Sequence, residues 1–412
     1  MKKKIIILLT CFILSGCKLY DEYKMPKEVS IKLNDNKFEV YSDIKIKDLI
    51  KSKNVKILNN NELVKTNKTG VKSVTIEYKY RKREYKYDVN YDIVDTEKPI
   101  LLNAPKSYNY YLNDEVEDFC LNVSVIDNYD RSLDCIVNSD IDTTKVGKYD
   151  LEYIIKDSSN NEIKESFVVN IIDPETIEET NNEDDYYYEE KVDFSEIVRL
   201  HKNDNTMIGI DVSRWQGDIN FEDVKRSGAE FVIIRMAVSN GVDDEIGLDS
   251  YFTENIKKAK DAGLKVGVYV YTAASSIPEV RNQAKFVKKH LNKTPLDFPI
   301  AYDFETWNDI NELEVNTHDL INMVDEFYKI VNKDGYDVML YSSKYYLEKV
   351  WLNKNYPVWL AHYTDKTNYE GKYIMWQMAS NGKISGIDGD VDIDIYYKNW
   401  RYFFSFLIYF LI

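Results

Sequence analysis

Between residues 206 and 398 a short apolar run, a polar or aromatic residue and a helix-like segment recur in that order, and no other feature constrains the fold as much. The runs are Met207 to Asp211, Phe231 to Arg235, Lys265 to Tyr271, Phe298 to Glu305, Asp337 to Tyr341, Tyr356 to Tyr363, Tyr373 to Gln377 and Val391 to Tyr396. Helical patterns fall between them at Asp249 to Ala262, Pro278 to Leu291 and Thr317 to Asn332. Strands alternating with helices predict parallel β/α units. About eight strands in roughly two hundred residues predict a TIM-like β/α barrel, whose chemistry gathers at the carboxyl ends of its strands. Asp211, Tyr271, Asp303, Glu305, Tyr341, Gln377 and Asp392 stand at or near such ends.

The run Phe298-Pro-Ile-Ala-Tyr-Asp-Phe-Glu305 reads as a buried strand ending in two carboxylates. Residues two apart on a strand share a face, so Asp303 and Glu305 project the same way, with Cα atoms about 6.6 Å apart. Two carboxyls that close cannot both ionise freely; one becomes a proton donor beside a charged partner, which is the equipment of glycoside hydrolysis. Tyr302, next to Asp303 and so of the opposite parity, should face the outer layer. A strand end merely solvated by the same pair is the plainer alternative. Asp211 could equally cap the turn that follows it, and Asp392, with Asp390 and Asp394, could be a solvated or cation-attracting acidic strand. His362 reads as a hydrogen-bonded structural group. The chain has four histidines and none at ligand spacing to another His or Cys, so neither a metal site nor a cofactor is expected. No phosphate-cradling glycine loop or nucleophilic serine elbow is present.

Ile208-Gly-Ile-Asp-Val-Ser-Arg-Trp-Gln-Gly217, Val266-Gly-Val-Tyr269, Asp303-Phe-Glu305, Leu340-Tyr-Ser342, Val358-Trp-Leu-Ala361, Trp376-Gln377 and Val391-Asp392 together resemble glycoside hydrolase family 25, the Chalaropsis-type lysozymes, over about residues 206–398. The resemblance implies an irregular β/α barrel that cleaves the β-1,4 bond between N-acetylmuramic acid and N-acetylglucosamine of peptidoglycan, with net retention. It implies Glu305 as general acid/base and Asp303 as the residue that steers the substrate's own 2-acetamido nucleophile. Asp211 and Asp392 match carboxylates of the groove floor. Trp215, Tyr269, Tyr271, Trp307, Tyr341 and Trp376 could stack on pyranose faces, with Gln377 among the binding residues. The competing class is a non-catalytic surface protein whose barrel binds glycan; the intact Asp303/Glu305 pair argues against it. A chitinase-like hydrolase expects carboxylates where this chain has Ala301 and Phe298.

Upstream, residues 1–16 read as a lipoprotein signal peptide: a basic start at Met1-Lys-Lys-Lys4, an apolar core, then Leu14-Ser-Gly-Cys17, similar to a lipobox. This predicts a lipid on Cys17 and an extracytoplasmic protein anchored to the outer face of a bacterial membrane. Residues 17–28 form a tether, and residues 29–94 and 95–173 two small all-β units, the second resembling bacterial immunoglobulin-like repeats and the first more weakly. Both are expected to be spacers. Cys120 and Cys135 could form a disulfide in that compartment. Residues 174–203 join the halves; from Asp173 to Glu196 there are eleven acidic residues and one Lys, a solvated, self-repelling linker. The hydrolase domain spans 204–400. The apolar tail 401–412 is too short to span a bilayer, for which about twenty apolar residues are needed. A net charge of −16 argues against nucleic acid as a partner. The expected partners are peptidoglycan strands and, through Cys17, the membrane, with the chain acting as a monomer.

Overall fold

The computed structural model describes residues 25–176, 190–239, 241, 245–352 and 355–398. The expected signal peptide, Cys17, the centre of the acidic linker and the tail 401–412 lie outside the described residues. No helix among those described is long and apolar enough to cross a membrane.

Two compact units divide the chain, the first ending at Asp95 and the second beginning at Thr96. In the first, the long strands Gly70–Tyr80 and Arg83–Val94 form a hairpin flanked by Lys56–Ile57 and Lys37–Glu39, while Ser30–Leu33 pairs with Ile50–Lys53. Period-2 alternation sets its inner face: Ile76 and Tyr78 on one strand and Val89, Tyr91 and Ile93 on the next are buried, whereas their neighbours face water.

The second unit opens with a β portion. Asp134–Val137, Gly147–Lys156, Glu162–Ile172 and Ser107–Tyr111 make one sheet, and Ile100–Asn103 pairs with Ser124–Ile126. Phe119, Tyr153, Ile155, Phe167, Val169 and Ile171 fill its core. A disulfide joins Cys120 to Cys135, whose Cα atoms are 5.9 Å apart.

The rest of the second unit is organised around a ring of strands. Strands β1 (Thr206–Val212), β2 (Phe231–Val238), β3 (Lys265–Thr272), β4 (Ile300–Phe304), β5 (Val338–Ser343), β6 (Val358–Ala361) and β7 (Met375–Lys383) pair in that order, each parallel to the next. Strand β8 (Val391–Tyr397) runs antiparallel and bonds to both β7 and β1, so the sheet closes on itself. The expected all-parallel series therefore fails at its last member. Asp392 stands at the amino end of β8 rather than a carboxyl end, and the reversed direction still brings it opposite Asp211.

Alternation along these strands makes two layers. Met207, Phe231, Ile233, Ala301, Met339, Trp359, Met375 and Tyr396 pack inside the ring with Phe298. Ile208, Ile210, Val232, Ile234, Val266, Val268, Ile300, Tyr302, Phe304 and Leu340 face out against the helices Phe252–Asp261, Ile277–Leu291 and Thr317–Val331. Tyr302 meets Phe327 edge-on, with centroids 5.3 Å apart. Gly209 leaves room for an interior ring: a Cβ there would lie 2.6 Å from atoms of Phe231. Among the described residues no helix separates β6 from β7 or β7 from β8, so one side of the ring lacks the helical cover of a regular β/α series.

The β portion is seated on the segment that follows Asp303 and Glu305. Asn311 donates from Nδ2 to the Val123 carbonyl (2.7 Å) and accepts the Val125 N–H at Oδ1 (3.0 Å). Ser124 Oγ donates to the Asn308 carbonyl at 2.9 Å, and Tyr345 Oη donates to the Leu101 carbonyl at 2.7 Å. Leu102 and Ile126 join the outer apolar layer. The β portion thus packs onto the ring half through residues 101–102 and 123–126.

Candidate active site

Strand register carries the site. Tyr271 is the partner of Asp303, Asp303 of Tyr341, and Tyr341 of Trp359, so four side chains on adjacent parallel strands lie at one level inside the ring. Asp211 is paired with Asp392 across the closing seam, and Gln377 with Asp394. Glu305 follows the last residue of β4 and is exposed at the mouth, while Asp303, two residues deeper, is only 3% exposed.

Gln377 ties the interior together. Its Oε1 accepts from Tyr341 Oη (2.8 Å) and Tyr363 Oη (3.1 Å), which leaves Nε2 to donate to Asp211 Oδ2 at 2.7 Å. Trp359 Nε1 donates to Asp394 Oδ1 at 2.8 Å. Asp394 Oδ2 is buried without a hydrogen-bond partner. Asp303 keeps one buried oxygen, Oδ1, without a partner. The nearby cation, Arg235, is itself committed to Asp249 through a buried pair at 2.8 Å.

Burial and mutual repulsion set the protonation of this cluster. Burial pushes Asp303 well above the ordinary carboxylate range, helped by the charges of Glu305 and Asp211 and opposed by Arg235. Burial also raises Asp211, with Asp394 as the next cause, and Asp394, with Asp392 as the next. Asp392 is pushed up to about 9 by burial and then by Asp211. Desolvation alone raises Glu305: solvent touches it at the mouth, and the surrounding walls still remove enough water to favour its neutral form. The Tyr271 hydroxyl is raised to about 12 by burial and then by Glu305. Both members of the Asp303 and Glu305 pair are pushed toward the neutral form, and the Glu305 charge adds to the push on Asp303.

Not every residue singled out in the sequence reaches this cluster. Tyr269 is half-buried and edge-on to Trp359, with centroids 6.1 Å apart, and Tyr271 is half-buried at the level of Asp303. Trp307 is buried in the outer layer and stacks on Tyr346 at 4.1 Å, edge-on to Phe304, so its expected place in a sugar groove is corrected. Trp376 is likewise corrected: it neighbours Gln377, so alternation turns it outward, where Nε1 donates to the His362 carbonyl at 2.8 Å. Tyr341 is buried and turned to Gln377 rather than open to a ligand. Trp215, in the turn after β1, is exposed with the Arg214 guanidinium over its ring. His362 bonds Thr367 Oγ1 at 2.8 Å, a structural contact.

Three participants escaped sequence reasoning. Asp394 was read with the acidic strand, although its place two residues past Asp392 on an alternating strand puts it on the same face. Tyr363 was only the end of a strand pattern, yet its hydroxyl reaches Gln377 while the residue stays largely exposed. Arg235, the end of the Phe231 run, lies two residues past Ile233 and so points inward with it.

The model for Glycosyl hydrolases family 25 matches residues 210–387. Over 196 residues the chain is 28% identical to the uncharacterized protein YegX of Escherichia coli O157:H7, covering 46% of this chain and 70% of that one. Over 195 residues it is 30% identical to the autolytic lysozyme of Clostridium acetobutylicum, covering 46% of this chain and 55% of the relative. A solved family 25 glycosyl hydrolase from Bacillus anthracis aligns with a TM-score of 0.42 at 21% identity, covering 50% of this chain and 95% of that one. Residues 210–387 are thus similar to the Glycosyl hydrolases family 25.

Proposed function

We infer that this chain is a peptidoglycan hydrolase, an enzyme of the lysozyme type that cleaves the β-1,4 bond between N-acetylmuramic acid and N-acetylglucosamine. The observation that carries the reading is the contrast between Glu305, raised in pKa and open at the mouth, and the buried Asp303 behind it. Glu305 favours its protonated form more than a solvated carboxyl does, and it can reach a bound glycan. Asp303 can reach only what is drawn into the ring. Two relatives in keeping with this reading are the autolytic lysozyme already described and lysozyme M1 of Streptomyces globisporus, 24% identical over 198 residues.

In the proposed mechanism the Glu305 carboxyl protonates the glycosidic oxygen as the bond to C1 breaks, a contribution typically worth about 10²–10⁴-fold. The acetamido oxygen of the same sugar attacks C1 and closes an oxazolinium ring. Asp303 accepts the acetamido N–H and steadies the positive charge that develops. Water then opens the ring at C1, giving its proton to the Glu305 carboxylate, and the second inversion restores the configuration. Asp211 and Asp392 line the floor, their position fixed by Gln377 and the β1–β8 register. The half-buried Tyr271 and the exposed Tyr363 and Trp215 offer faces for sugar rings. No cofactor takes part in these steps.

The closed ring with its missing helices is read as an irregular TIM-like β/α barrel. A wall substrate places the enzyme outside the cytoplasm, and the lipobox-like Leu14-Ser-Gly-Cys17 supports a lipid on Cys17 that holds it to the membrane. On this reading the first β unit carries the enzyme outward as an immunoglobulin-like spacer.

The test is to incubate the purified chain, and its Glu305→Gln variant, with peptidoglycan and to identify new reducing ends by mass spectrometry. Muramic acid ends from the parent and none from the variant support the reading. Glucosamine ends would move the activity to another bond, and no ends from a folded parent would leave a glycan-binding protein.

A further inference from the structure

The pairing of β4 with β3 ends at Phe304, opposite Thr272, so Glu305, one residue further on, is not held by the ladder. The segment that follows holds it instead. The Glu305 carbonyl accepts the Trp307 N–H at 2.8 Å, and the buried Trp307 ring meets Tyr346, Phe304 and Trp351 with centroids 4.1, 5.0 and 6.1 Å away. Asn308 and Asp309 then turn out to the surface, and the four-residue helix Ile310–Leu313 follows. Glu314 leaves that helix at φ 49°, a conformation uncommon for a residue with a Cβ. A stretch with so little regular pairing of its own opens easily unless other elements grip it.

The grip comes from the β portion. The Asn311 carboxamide donates to the Val123 carbonyl (2.7 Å) and accepts the Val125 N–H (3.0 Å), two bonds of the kind a neighbouring strand would make to this edge. The buried Ser124 hydroxyl donates to the Asn308 carbonyl at 2.9 Å. On the partner strand Ile100–Asn103, the Leu101 carbonyl accepts from Tyr345 Oη at 2.7 Å, and Tyr345 stands edge-on to Tyr346, the ring on which Trp307 stacks. Beyond the segment, Asn316 Nδ2 donates to the Tyr129 carbonyl (2.7 Å) and the Thr317 N–H to the Asp127 carbonyl (2.9 Å). The disulfide from Cys120 to Cys135 ties the chain just before Val123 to the strand Asp134–Val137 of the four-stranded sheet. The stretch from Glu305 to Thr317 is therefore held at both ends by one strand of the β portion and the loop after it.

We propose that the β portion sets the position of the Glu305 carboxyl, with Asn311 as a positioning residue acting through the segment 305–311, a role that rests on the reading of Glu305 as the acid. The chemistry of the contact demands an amide, because Asn311 donates and accepts at once; a carboxylate there only accepts, and it faces the Val123 carbonyl oxygen. Without these bonds Asp303 keeps its place by strand register with Tyr271 and Tyr341, while the acid beyond the ladder loses its support. A misplacement of about 1 Å can cost about 10²-fold in rate. The β portion thereby belongs to the catalytic machinery rather than serving as a spacer alone.

The experiment compares the full chain with Asn311→Asp, Asn311→Ala and Ser124→Ala on soluble peptidoglycan fragments. In the Asn311 variants kcat should fall about 10- to 10²-fold with KM nearly unchanged, the mark of a lost transition-state interaction rather than lost binding; Ser124→Ala should show a smaller fall of the same kind. Arg131→Ala, which removes a pair with Asp319 on the helix Thr317–Val331, should keep the parent's kcat. Hydrogen exchange of peptides covering 305–313 needs no activity, and it should quicken in the Asn311 variants while 300–304 stays protected. Should an Asn311 variant fail to fold, Ser124→Ala answers through the same two readouts. A parent that releases no reducing ends would remove the hydrolase reading and leave exchange to decide the clamp. Folded variants with the parent's kcat, or with unchanged exchange over 305–313, overturn the proposal. So does an equal loss of kcat in Arg131→Ala, which would make the effect one of general stability.

Discussion

Carboxylates crowd together twice in the second unit, and the two places relieve the crowding by different means. Inside the ring, Asp211, Asp303, Glu305, Asp392 and Asp394 share a space whose nearby guanidinium, Arg235, is held by Asp249. There desolvation raises every one of the five. In the β portion, Asp130 and Asp157 are ringed by hydroxyl and amide donors, and a buried Asp127 oxygen is left over. Walls of Trp359, Tyr341 and Tyr269 shut water out of the ring, so a proton is the cheapest neutraliser and becomes available for chemistry. In the loop, hydroxyl and amide donors satisfy Asp130 and Asp157 instead. The same residue type thus serves catalysis or architecture according to what surrounds it.

The largest expected effect breaks the comparison at its reactive end. Glu305→Gln removes the carboxyl at the mouth and should lower the rate of glycan cleavage about 10²–10⁴-fold, with the fold unchanged by circular dichroism and glycan still retained in a pull-down. Preservation of the rate would remove Glu305 from the chemistry.

Gly209→Ala tests the floor beneath the proton-holding cluster. Its Cβ would meet Phe231 at 2.6 Å, and overpacking of this kind costs about 1–3 kcal/mol, to be read as a lower denaturation midpoint at unchanged slope. A neutral result would mean that the interior yields easily and does not hold the carboxyls in place.

The pH dependence of stability sharpens the contrast without any mutation. A carboxyl whose folded pKa is raised binds more protons folded than unfolded, so its contribution is full below the unfolded value and is lost as pH rises. For Asp392, raised to about 9, the loss runs from about pH 4 to 9. The melting temperature of the second unit should therefore fall across that window, and Asp392→Asn should flatten the slope. A slope that rises with pH, or one that the variant leaves intact, would contradict the protonated interior.

The smallest effect concerns the seat of the β portion. Arg131→Ala removes a largely exposed pair with Asp319, and exposed pairs contribute about 0.2–1 kcal/mol. Urea unfolding should show a shift no larger than that.

What the sequence made legible follows the same physics. The strand and helix series was readable because each element repeats its own period, and Asp303 with Glu305 because i, i+2 fixes a shared face. Trp376 and Trp307 were misread because composition suggested stacking while parity and outer-layer packing turned them away from the interior. The direction of β8 was not readable, since Val-Asp-Ile-Asp-Ile alternates identically in either sense. Asp394 was hidden by its acidic neighbours. The bond of Asp130 to Ser158, 28 residues further along, has no local signature either. The hydrogen bonds of Asn311 and Asn316 to the β portion join positions more than 180 residues apart, and no local pattern reports such contacts.

The most direct measurement of the central claim is a pH titration of Glu305 itself. Carboxyl-¹³C glutamate labelling of the parent and of Glu305→Gln gives a difference spectrum that isolates its resonance. A midpoint raised above the ordinary glutamate value of about 4.3 is the predicted result, showing a proton held where a glycosidic oxygen would receive it. A midpoint at or below the ordinary value would contradict the account.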